Sequence, residues 1–72
     1  MQVIKMELKS RINYWKEKRG RTTKWIAKEL GVSPEIVSRW ANNKNYPSIH
    51  TLFRLAEILE CKVDDLFEKE GK

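Results

Sequence analysis

Between Thr22 and Phe67 the apolar residues fall three or four positions apart, and short segments rich in Gly, Asn, Pro and Ser interrupt them. That spacing gathers them on one face of each of several amphipathic helices. In TKWIAKEL, Ile26, Ala27 and Leu30 share a face; Thr22, or else Thr23, supplies the N-cap and Gly31 the stop. In SPEIVSRWANN, Ser33 caps the next helix and Pro34 takes its first position, where a missing N–H costs nothing. Val37 and Trp40 face inward there, with Ile36 a marginal third. The helix runs out at Asn42–Asn43, since Asn is second only to Gly in tolerating the left-handed conformation. After the loop NKNYPS, Pro47–Ser48 opens a fourth helix whose Leu52, Leu55, Ala56 and Leu59 recur at helical spacing. A last short helix, VDDLFEK, closes the core with Leu66, and with Val63 and Phe67 as further candidates.

The N-terminal stretch fits two patterns. Ile4, Met6 and Leu8 alternate with Lys5, Glu7 and Lys9, as in a strand, yet Ile4, Leu8, Ile12 and Trp15 share a helical face. The helical reading is adopted, from Glu7 or Leu8 to Lys18, with Gly20 ending the helix. Residues 1–6 are then an extended arm, 7–68 one domain and 69–72 a C-terminal tail. The expected fold class is all-α, a compact five-helix bundle.

Composition narrows what such a bundle can do. A chain of 72 residues builds one thin core, too small for a deep substrate cleft. One Cys and one His, Cys61 and His50, fall short of the usual four zinc ligands. Cys61 sits in an apolar stretch and reads as a small core residue. The sequence has neither a Ser/His/Asp or Cys/His set nor a glycine-rich phosphate loop, so an enzyme is not expected, nor a cofactor. No long apolar run occurs, which points to a cytoplasmic protein without membrane contact. The charge is asymmetric. Residues 1–44 carry eleven Lys/Arg and four Asp/Glu, a net +7; residues 45–72 carry four and six, a net −2. A basic front suits a polyanionic partner, although an ordinary basic surface would look the same from charge alone.

Two short helices joined through Gly31–Val32 have the form of a helix-turn-helix. Ala27 is small where the two must approach closely. Val37 and Trp40 anchor the second helix and aim Pro34, Glu35, Ser38, Arg39 and Asn42 outward, as reading base edges in a major groove requires. The segments IA…LGVS, IVSRW, NK…YPS, TLFRLAEIL and VDDLF together resemble the Cro/CI-type (XRE-like) helix-turn-helix regulators over residues 8–67. The resemblance implies a lambda-repressor-like five-helix domain, DNA binding and transcriptional control. It assigns Thr23 to a phosphate, Pro34, Glu35, Ser38 and Arg39 to the groove, and Asn42 and Lys44 to the backbone. Several positions depart from that pattern. Thr23 replaces a longer Gln, and Pro34 replaces a polar base reader. Asn43 stands for Gly, Lys62 for a capping Ser, and Trp25 for an exposed polar residue.

Arg39 is the leading base reader, because its planar fork matches guanine O6 and N7. The alternative is pairing with Glu35, four residues earlier. Glu35 could accept from cytosine N4 or simply favour the helix N-terminus. Asn42, Lys44 and Asn45 are candidate phosphate contacts, as are Arg21 and Lys24 beside the start of the second helix. Trp15 and Trp40 read as core. Trp25 is assigned first to covering the arm, ahead of stacking on a sugar or a subunit contact. Phe53 and Ile58 lie off the main stripe of their helix and suggest a dimer surface. The expected partners are double-stranded DNA and a second copy of the chain. The alternative is an antitoxin or docking module whose main partner is another protein.

Overall fold

A computed structural model describes residues 7–70. Its elements run β1 (Glu7–Ser10), α1 (Ile12–Lys18), α2 (Thr23–Leu30), α3 (Pro34–Ala41), α4 (Ile49–Ile58), α5 (Val63–Leu66) and β2 (Phe67–Glu70). The helix starts follow the side-chain caps. Thr22, Ser33 and Ser48 each accept the backbone N–H three residues on, from Trp25, Ile36 and Thr51. Gly31 ends α2 at φ +72°, and the Val32 N–H closes back on the Ala27 carbonyl at 3.0 Å. A side chain there would meet no neighbour, so the left-handed backbone is what makes glycine the favoured residue.

Among the described residues, nine apolar side chains form the core: Ile12, Ile26, Ala27, Val37, Trp40, Leu55, Ala56, Leu59 and Leu66. Every helix contributes, and α2 packs on both α3 and α4. Trp15 is only half-buried; its indole Nε1 donates to the Asp65 carbonyl at 2.9 Å, joining α1 to α5. Arg19 adds a second clasp, donating to the Leu59 and Glu60 carbonyls at 2.9 and 2.7 Å where α4 ends.

The structure corrects the chain ends. The first helix begins at Ile12, not at Glu7 or Leu8, because Glu7–Ser10 form a strand antiparallel to Phe67–Glu70, with Leu8 opposite Lys69 and Ser10 opposite Phe67. The helical face that would have included Leu8 starts instead at Ile12, whose N–H is taken by Ser10 Oγ at 3.1 Å. The last helix is likewise shorter than VDDLFEK. It stops at Leu66, and Phe67 turns to extended geometry at φ −136°, ψ 135°. Lys69 and Glu70, assigned to a tail, belong to the ribbon. Lys62 gives α5 no side-chain cap, as its replacement of Ser implied, but Asp65 Oδ2 accepts the Lys62 N–H at 3.2 Å. Ile36 is exposed and contributes no core surface. The expected arm, residues 1–6, lies outside the described residues.

Candidate nucleic-acid interface

Helix α3 presents a two-sided surface. Val37 and Trp40 are buried, at 1% and 5% exposure, and hold the helix against the bundle. Pro34, Glu35, Ser38, Arg39 and Asn42 all lie exposed on the other side. Among the described residues the one ion pair joins Arg11 and Glu68 at 3.9 Å, so Arg39 pairs with neither Glu35 nor another described carboxylate. Asn42 Nδ2 donates to Ser38 Oγ at 3.3 Å, which limits the rotamers of both. Ser38, Arg39, Asn42, Lys44 and Asn45 together line an open depression of about 500 Å³. The groove candidates Ser38 and Arg39 are therefore contiguous with the backbone candidates Asn42, Lys44 and Asn45, whereas Pro34 and Glu35 do not line this depression.

The second group gathers at the start of α2. Thr22 is the N-cap, which leaves Thr23 in the first turn. The Thr23 hydroxyl accepts from Lys16 Nζ at 2.9 Å and is half-buried, so it supports a cation and is not an outward clamp. Lys16 is the residue that sequence reasoning missed. It is one of several lysines in α1, and only the turn at Gly20, with the Arg21 N–H on the Lys16 carbonyl at 2.8 Å, folds it back to α2. Arg21 and Lys24 are exposed beside it. Three cationic side chains, Lys16, Arg21 and Lys24, thus belong to the segment around the first turn of α2, where the helix dipole is positive. Arg21 lies over the Trp25 ring, 4.2 Å from its centroid, and Trp25 is half-buried against the core.

The loop after α3 starts at Asn43, left-handed at φ +62° where glycine would be most comfortable. Lys44 and Asn45 follow, both exposed.

Away from these surfaces, a depression of about 720 Å³ lies between α4 and α5 and is lined by His50, Phe53 and Cys61 among others. Among the described residues no three His, Cys, Asp or Glu side chains come together to hold a metal. Burial raises the Cys61 thiol pKa, and the Asp65 carboxylate adds to the rise against the opposing pull of Arg19, so the thiolate is scarce at neutral pH. Phe53 is 61% and Ile49 75% exposed, whereas Ile58 is half-buried. No helix among the described residues is long and apolar enough to cross a membrane.

A helix-turn-helix family model matches residues 12–66. An uncharacterized HTH-type transcriptional regulator from Archaeoglobus fulgidus is 28% identical over 60 residues, covering 83% of this chain and 86% of its own. One from Methanocaldococcus jannaschii is also 28% identical, over 83% of this chain and 91% of its own. Among solved structures, a candidate DNA-binding protein from Bacteroides fragilis superposes with a TM-score of 0.80 at 33% identity, over 85% of this chain and 98% of that one. The biofilm master regulator SinR, solved in complex with DNA, superposes at 0.66 with 26% identity, over 74% and 86%.

Proposed function

The chain belongs to the XRE-type helix-turn-helix family of transcriptional regulators, and on that premise we propose that it is a DNA-binding repressor that reads a palindromic operator as a homodimer. The observation that carries this reading is α3 itself: two buried anchors, and a polar outer face whose Arg39 forms no ion pair among the described residues. A helix so fixed can enter a major groove without reorganising. Arg39 reads guanine, Glu35 and Ser38 read neighbouring edges, and Pro34 offers an apolar contact to a thymine methyl. Lys16, Arg21 and Lys24 at the start of α2, and Asn42, Lys44 and Asn45 after α3, take the flanking phosphates. Thr23 acts in this scheme by holding Lys16.

Exposed Ile49 and Phe53 support the dimer, which places two copies of α3 about 34 Å apart, one helical turn of DNA. Occupying such an operator blocks transcription with no further activity, hence a repressor. The same apolar pair supports a second reading, in which the chain docks another protein. A monomer in sedimentation that binds only half-sites would favour that one.

Selection of bound duplexes from a random pool tests the proposal. A palindrome should emerge, and Arg39→Ala should relax one base position per half-site at a cost of about 1–3 kcal/mol. Binding should also weaken steeply with salt, as phosphate contacts release condensed cations. Failure to discriminate any sequence from random competitor at every salt concentration would overturn it.

A further inference from the structure

The loop leaving α3 is tied to the terminal ribbon at two points. Asn43 Oδ1 accepts the Ser10 backbone N–H at 2.7 Å, and the Tyr46 hydroxyl donates to the Leu8 carbonyl at 3.3 Å. Backbone groups reverse direction from one strand residue to the next, so Leu8 and Ser10 point the same way and Lys9, opposite Glu68, the other. Asn43 and Tyr46 thus close the edge of β1 that β2 leaves unpaired, an edge that is otherwise a liability. Tyr46 also packs edge-on against Phe67 of β2, with centroids 5.7 Å apart. On its other side the loop is fastened to α3. The Asn43 N–H donates to the Trp40 carbonyl at 3.3 Å and the Lys44 N–H to the Arg39 carbonyl at 2.9 Å. A glycine at 43 would keep the left-handed turn and lose the tether, which gives asparagine a reason to be there.

We infer that the β1–β2 ribbon is part of the DNA-binding apparatus: through the positioning residues Asn43 and Tyr46 it fixes the Lys44–Asn45 segment against the phosphate backbone. The inference rests on the DNA-binding reading above. Lys44 and Asn45 lie between the two tethered residues, so their backbone is held at both ends before DNA arrives. A lysine on a free loop must lose that conformational freedom on binding, and a clamped one has already lost it. Asn43 and Tyr46 act through Lys44 and need no contact with DNA themselves.

A double-mutant cycle on the selected duplex tests this. Asn43→Gly preserves the turn, and Tyr46→Phe removes only the hydroxyl. The wild-type chain, Lys44→Ala, the Asn43→Gly/Tyr46→Phe pair and the triple variant are titrated at several salt concentrations. Lys44→Ala should weaken binding by about tenfold in the wild type, yet by less than about twofold in the untethered pair. The salt slope should fall by about one ion in the pair, in Lys44→Ala and in the triple variant alike. Base preference should not change. If the pair melts below the assay temperature, Tyr46→Phe alone carries the same cycle. Equal losses from Lys44→Ala in both backgrounds, or none in the wild type, overturn the inference and leave DNA binding standing. A wild-type chain with no salt-sensitive binding overturns both.

Discussion

Helix α3 and strand β1 are short segments of one small bundle, and both end at the loop that follows the helix. Pro34–Ala41 carries its own instructions: a serine cap, a proline at the first position, and two anchors, Val37 and Trp40, at helical spacing. Glu7–Ser10 carries an alternation of apolar and charged residues that suits a strand or a helix face almost equally. What decides it is Phe67–Glu70, about sixty residues away in sequence, which offers a backbone partner. The difference teaches that helix bonds are satisfied within a segment and ladder bonds only between segments. The element that presents the polar outer face is specified locally, and the element that braces its exit loop is not.

If that contrast is right, the two regions respond differently to substitution. The largest effect is expected from Trp40→Ala, at about 3–5 kcal/mol for an aromatic lost from a core. A single small core rarely supplies more than about 3–5 kcal/mol in total, so urea titration at 25 °C should show no cooperative transition. A normal transition would mean that α3 is not anchored as described. Ser33→Ala removes the cap and should cost about 1 kcal/mol, with the midpoint of urea unfolding lowered and the ribbon amides protected as before. Lys9→Pro deletes an N–H that faces β2 and crowds the Glu68 strand with its ring, so it should cost at least the net worth of one hydrogen bond, about 0.5–1.5 kcal/mol. Helical circular dichroism should be unchanged and amide exchange faster only near the ribbon. A loss as large as that from Trp40→Ala would show the ribbon to be part of the core and erase the contrast.

The caps at Thr22, Ser33 and Ser48, the turn at Gly31, the left-handed Asn43 and the stripe Leu55, Ala56, Leu59 were all legible in the sequence, because each is a local steric or hydrogen-bonding preference. So was the outward set on α3, since helical period fixes which side chains oppose Val37 and Trp40. The start of α1 was not legible, because the apolar face extended to Leu8, whereas the helix begins at Ile12, whose N–H donates to Ser10 Oγ. Lys16 was not legible. Nothing in its neighbourhood along the chain separates it from Lys18, and only the fold-back at Gly20 brings it to Thr23. The tethers from Asn43 and Tyr46 were equally hidden, because they span 33 and 38 residues.

The sequence by itself determined the helices, their caps and the polar face that α3 presents, because those depend on preferences within about one turn of chain. Only the tertiary structure decided that the two ends pair, that Lys16 reaches the first turn of α2, and that the loop after α3 is clamped to the ribbon. Each of those depends on groups distant in sequence meeting across the closed core, and local preference carries no information about such meetings.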